Sequence, residues 1–171
     1  MRQRSGELLV LAAGLLWSVQ ALIVREVGPV SAWTILFWRS LGMLPMVLTF
    51  LALRLKRSPW TVIRKSGLAG VLGGIGLVGA MGGAMLAYQT TTIANAAFLY
   101  AGSPFIAAIL GRILLHERVA PATLLAIGVA LVGILIMVGD GLARGAWLGN
   151  AAGLVSALGF AGFTVALRWH H

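Results

Sequence analysis

Six apolar runs, at 7–24, 32–53, 67–88, 93–115, 121–139 and 147–167, follow one another along the chain with short polar joints between them. Each comes near the roughly 20 residues that cross about 30 Å of hydrocarbon as helix. The pattern predicts an all-α fold, a polytopic transmembrane helix bundle with six spans. Turn chemistry marks the joints: Gly28-Pro29, Ser58-Pro59-Trp60, Gln89-Thr90-Thr91-Thr92, and Pro121 opening the fifth run. The third and fourth spans must form a tight hairpin. No long hydrophilic segment intervenes, so neither a soluble domain nor a linker is expected.

Charge gives the bundle a direction. Ten of the thirteen basic residues (Arg2, Arg4, Arg54, Lys56, Arg57, Arg64, Lys65, Arg112, Arg118 and Arg168) lie before the first run or in alternate gaps. The other side holds Arg25 and Arg144, each near an acid (Glu26, Asp140), and Arg39 lies inside a span. Cytoplasmic loops carry the excess of Lys and Arg, which predicts that the N-terminus and residue 171 are both cytoplasmic, in a plasma (inner) membrane.

Composition agrees: 60% of residues are hydrophobic and 10% charged, against about 25% charged in a soluble domain. Mean hydropathy is +0.97. A net charge of +9 on one soluble face would suggest nucleic acid. Here the charges stand at membrane edges without interleaved aromatics, so no nucleic acid partner is expected, and anionic lipid headgroups are. No cysteine is present, which removes disulfides, thiolate metal sites and a cysteine nucleophile. MRQR followed by an apolar stretch resembles a secretory leader, but the run continues past Ala21 to Val24, and it reads as a first span.

The third run carries Gly67, Gly70, Gly73, Gly76, Gly79 and Gly82 at intervals of three, with Gly74 and Gly83 added. On a helix that spacing drifts around the axis and strips side chains from more than one face. Close helix packing is the first reading, with Gly70-x-x-x-Gly74 and Gly79-x-x-x-Gly83 as the stacking pairs.

Polar groups inside apolar spans point to function, because a charge at the bilayer centre costs at least about 2.5–3.5 kcal/mol. Arg39 lies seven residues beyond Ala32, roughly 10 Å below the boundary at about 1.5 Å per residue. It is either a structural arginine, bonded to helix-end carbonyls or packed on Trp33 or Trp38, or a cavity residue that attracts anionic or carboxylate-bearing solutes. Trp17, Ser18 and Gln20 of the first span and Asn95, Tyr100 and Ser103 of the fourth are sparse polar contacts for a mostly apolar cavity, or bonds between neighbouring helices. Asn95, Leu99 and Ser103 share one helix face, and Pro104 predicts a kink near Tyr100. Tyr88 reads as a cavity candidate or an interfacial anchor.

Enzyme chemistry finds no constellation. His116-Glu117-Arg118 lacks the second histidine of a zinc helix, and no Ser-His-Asp set, aspartate pair or P-loop occurs. The chain is therefore read as a non-enzyme with no catalytic residues, no metal site and no cofactor. No Asp, Glu or His lies well inside a span, so no proton relay is evident.

Phe37-Trp38-Arg39, the stretch from Ala87-Tyr88-Gln89 through Thr90-Thr91-Thr92 to Asn95-Ala96-Ala97, then Ser103-Pro104-Phe105, Leu115-His116-Glu117-Arg118 and Ile127-Gly128-Val129-Ala130-Leu131-Val132-Gly133 occur in a fixed order. Over about residues 7–139 this set resembles the EamA repeat of the drug/metabolite transporter superfamily. The resemblance implies a ten-helix permease of two inverted five-helix repeats, a secondary transporter that exports small metabolites such as amino acids or drug-like compounds by alternating access. Residues 1–139 are then the first repeat and 140–171 the start of the second. Aligning Trp17 with Phe160 sets Arg25 opposite Arg168, on opposite sides by the charge count. The expected partners are a small-molecule solute, membrane lipids, and either a missing second repeat or another membrane subunit, the chain being a fragment or a truncated protein that assembles. The alternative is a non-transporting subunit or scaffold packed against a partner membrane protein.

Overall fold

A computed structural model describes residues 2–28, 30–55, 64, 66–143 and 146–169. Pro29, Lys56, Arg57, the Ser58-Pro59-Trp60 joint, Lys65, Arg144, His170 and His171 lie outside the described residues. Among those described the secondary structure is helical throughout: α1 Arg2–Glu26, α2 Ala32–Leu55, α3 Gly67–Thr90, α4 Ile93–Ala101, α5 Ser103–Leu114, α6 Pro121–Ala143 and α7 Trp147–Trp169. Helices α4 and α5 are one span, Ile93–Leu114, interrupted at Gly102. Pro104 sits in the first turn of α5. Having no N–H, it leaves the Tyr100 carbonyl without its usual partner, and the kink expected there follows.

Among the described residues five spans are long and apolar enough to cross a membrane: Gly6–Glu26, Ala32–Leu53, Gly67–Thr90, Ile93–Leu114 and Trp147–Trp169. The apolar stretch of α6 among the described residues, Pro121–Ile136, is shorter. Leu8, Leu9, Val10, Leu11, Phe50, Leu125 and Leu135 all stand exposed on the bundle surface. In water such a surface would aggregate; in a bilayer it is the solvated face. The chain is a multi-pass membrane protein.

Inter-helix bonds define two ends. At one, Gln89 Nε2 donates to the Val30 carbonyl at 2.7 Å, and Thr91 Oγ1 lies 3.4 Å from Asn150 Oδ1. Asn150 Nδ2 reaches the Val138 carbonyl, also at 3.4 Å, so the α1–α2, α3–α4 and α6–α7 joints share this end. At the other, Arg168 Nη1 bonds Glu117 Oε2 at 2.7 Å and Nη2 bonds the Ala107 carbonyl at 3.3 Å. Arg25 and Arg168 thus close their helices at opposite ends.

The α3–α4 hairpin is as tight as its threonines predict. Thr91 N–H closes α3 on the Ala87 carbonyl, and Thr92 caps α4 by accepting from Asn95 N at 3.1 Å. At the α1–α2 turn Gly28 adopts φ +81°, a conformation that a side chain would strain.

The core is a seam between α3 and α7, and it corrects the expected glycine pairing. A Cβ at Gly76 would stand 2.8 Å from the Gly159 carbonyl oxygen, one at Gly83 2.6 Å from that of Ala152, and one at Gly159 2.6 Å from Ala80 N. Gly74 and Gly79, by contrast, have nothing within 4 Å. The stacking face is Gly73, Gly76, Ala80, Gly83 and Ala87, spaced by three and four, because a helix crossed at a shallow angle meets its neighbour about every 3.5 residues. A four-residue spacing alone does not say which face is met. Across the seam Ser156 Oγ donates to the Ala80 carbonyl at 2.7 Å, fully buried. Gly82 takes a third direction, where a Cβ would lie 3.1 Å from Trp33 of α2.

Candidate functional site: a small cavity around Arg39

With one face of α3 given to α7, the adjacent face carries Met81, Ala84 and Tyr88. Those three line a cavity of about 40 Å³ with Trp17 and Gln20 of α1, Arg39 of α2 and Tyr100 of α4. That exceeds the roughly 10–15 Å³ a water needs, yet falls far short of the about 300 Å³ of a drug-sized pocket. In this conformation it accommodates water or one polar group of a solute.

Arg39 is half-buried and points into the bundle. Its Nη1 donates to Met81 Sδ at 3.0 Å, and among the described residues Met81 is its one hydrogen-bond partner. A guanidinium carries five donors and a thioether is a weak acceptor, so the charge is poorly satisfied. The aromatic packing weighed for Arg39 does not occur: Trp38 is 65% exposed with its ring edge-on to Phe37, and Trp33 lies against Gly82.

Tyr100 forms the far wall. Trp17 meets its ring in a T at 5.9 Å between centroids, and Phe160 of α7 packs on it at 5.3 Å. Trp17 and Phe160, aligned with each other in the sequence, thus flank the same tyrosine. The Tyr100 hydroxyl is buried with no hydrogen-bond partner among the described residues. A buried hydroxyl left unpaired costs about 1–3 kcal/mol.

Of the cavity candidates, the fold brings together Arg39, Trp17, Gln20, Tyr88 and Tyr100. Tyr88 also packs on the Val24–Ala32–Met85 cluster, facing inward instead of serving as a lipid-facing anchor. Asn95 and Ser103 lie elsewhere. Asn95 serves the hairpin, its Nδ2 3.5 Å from Thr91 Oγ1, and Ser103 is buried at the start of α5. Ser18 back-bonds the Gly14 carbonyl at 3.0 Å within α1. Met81 and Ala84 were not singled out from the sequence, and Phe160 only as the counterpart of Trp17. The first two share the helix face of Tyr88 at spacings of seven and four, a signal that apolar residues in an apolar helix do not advertise.

The opposite end carries the exposed ion pair Arg168–Glu117 beside Gly111, where a Cβ would lie 2.5 Å from Glu117 Oε2. Arg112, His116 and Arg118 surround the same recess. His116 is held at φ +56°, a left-handed residue that ends α5 where glycine is more usual.

A bundle that turns its apolar side chains to lipid, and gathers an intramembrane arginine, two tyrosines and a glutamine around a small half-open cavity, has the make-up of a membrane transport protein. Residues 4–139 match the EamA-like transporter family, and the chain belongs to it. It is a membrane transporter of the drug/metabolite transporter superfamily, a family of transporters and not of enzymes, whose setting is lipid and whose cargo is a small-molecule solute. No curated protein and no solved structure matches the chain.

Proposed function

We propose that the Arg39 cavity is the solute site of a secondary transporter that exports small metabolites, such as amino acids or drug-like compounds. Transport proceeds by alternating access between the five-helix unit 1–139 and an inverted second unit, supplied by a second repeat or a partner subunit, of which 140–171 is the first helix. The observation that carries this reading is Arg39 itself, a charge at membrane depth whose one described hydrogen-bond partner is a thioether. In a purely structural role its donors would be matched by carbonyls or carboxylates. Gln20 and Tyr88 supply further polar contacts, while Trp17 and Tyr100 form the walls. The convergence of Trp17 and Phe160 on Tyr100 supports the inverted repeat. Outward direction rests on the family resemblance; with no acid or histidine well inside these spans, coupling comes from the second unit, from a titrating end residue, or not at all, the last being exchange or facilitated diffusion. On this reading the protein lies in the plasma membrane, and the distribution of basic residues supports placing residues 1 and 171 on the cytoplasmic side. A scaffold would pair its polar groups between helices; the unpartnered Tyr100 hydroxyl argues for transport instead.

Comparing extracellular metabolites of cells with and without the overproduced transporter tests this. Arg39→Lys keeps the charge but loses the planar fork, and is expected to cut the exported excess about tenfold or more at equal membrane abundance. Normal export by Arg39→Ala would remove Arg39 from the site.

A further inference from the structure

Two residues with unsatisfied groups, Arg39 and Tyr100, line one small space, and together they specify more than an arginine alone. Arg39 holds a weak acceptor, the Met81 sulfur at 3.0 Å, and the Tyr100 hydroxyl holds none among the described residues. Arg39 and Tyr100 both line the same cavity, the hydroxyl itself buried at its wall, and the volume of about 40 Å³ suits a polar head and not a whole solute. The remaining wall is apolar or aromatic, from Trp17, Ala84 and the Tyr100 ring.

We infer that Met81 is an exchangeable acceptor that occupies Arg39 between solutes, and that the solute carries a carboxylate on an apolar body. One carboxylate oxygen displaces the Met81 sulfur from Arg39 and the other accepts from the Tyr100 hydroxyl. The exchange replaces a weak thioether contact with a charge-assisted bond and fills an orphaned donor in the same step. A neutral amide satisfies the hydroxyl but lacks the charge, and an amine is repelled by Arg39. Met81 and Tyr100 therefore determine specificity beside Arg39. The unbranched, polarizable side chain suits Met81 to this part, because it can leave the guanidinium without a rotamer penalty or a stranded polar atom. This inference rests on reading the cavity as the solute site.

Calorimetric titration of the purified chain in detergent is the test, with phenylacetate, phenylacetamide, phenethylamine and inorganic phosphate as probes. Phenylacetate is expected to bind at least about tenfold more tightly than the amide or the amine, since a charge-assisted bond exceeds a neutral one by that order, and more tightly than phosphate, which has no apolar body to pack on the aromatic wall. Met81→Gln places a strong acceptor on Arg39 and should weaken phenylacetate about tenfold, whereas Met81→Leu, which removes the competitor, should tighten it about threefold. Tyr100→Phe should weaken phenylacetate about threefold to tenfold while leaving the melting temperature of the free protein unchanged or raised, because it deletes an unpaired hydroxyl. A Tyr100→Phe protein that melts lower yet binds as before would show a structural hydroxyl and overturn the inference. So would phenylacetate binding that depends on Arg39 but ignores both Met81 substitutions. Binding indifferent to Arg39→Ala, or stronger for phosphate than for phenylacetate, would remove the cavity reading as well.

Discussion

Gly83→Ala probes the α3–α7 seam with a single methyl group. A Cβ there stands 2.6 Å from the Ala152 carbonyl oxygen and 2.8 Å from Ser156 N, both backbone atoms that no rotamer change can move aside. Ordinary contact begins at 3.4 Å, so the two helices must part by about 0.8 Å locally. Parting stretches the Ser156–Ala80 bond from 2.7 Å to about 3.5 Å, beyond useful hydrogen-bond length. Overpacking costs about 1–3 kcal/mol and the lost bond about 0.5–1.5, while alanine returns about 1 in helix propensity. The net loss is about 1–3 kcal/mol, a fall of roughly 3–10 °C in Tm for a chain of this size. Gly79→Ala, four residues earlier on the same helix, meets nothing within 4 Å and should be neutral or slightly stabilising. Thermal unfolding of the two variants in detergent, followed by tryptophan fluorescence, makes the comparison. Equal Tm values for both would refute the seam, since a Gly79-x-x-x-Gly83 interface treats the two positions alike.

Three further outcomes follow from other parts of the fold. Arg168→Ala loses an ion pair that is more than one-third exposed and the bond to the Ala107 carbonyl, and should cost only about 1 kcal/mol; a Tm unchanged within error would show that this end is not tied to α7. Exchanging the pair, Arg168→Glu with Glu117→Arg, should recover most of that loss in a double-mutant cycle, and no recovery would deny the pairing. A reporter fused after residue 171 should read cytoplasmic and one inserted after Thr91 external; the reverse result would sink the charge argument together with the inverted repeat.

The spans and the described joints were legible in the chain because the bilayer acts on them locally. Hydrocarbon thickness sets the run length, unsatisfied backbone enforces helix, and Thr92 and Pro104 mark a cap and a kink through bonds within a few residues. Arg39 was legible for the same reason, since burying a charge in lipid is costly wherever the rest of the chain goes. The family followed from ordered motifs over the matched region, 4–139. Which face of α3 meets which neighbour was not legible. Eight glycines strip that helix in several directions, and only the docking of α7 selects Gly76 and Gly83 over Gly74 and Gly79. The same docking turns Met81 toward Arg39, brings Phe160 onto Tyr100, and leaves Asn95 to the hairpin. Those outcomes depend on the crossing of helices far apart in the chain, where packing of small residues, not hydropathy, discriminates between faces that are equally apolar.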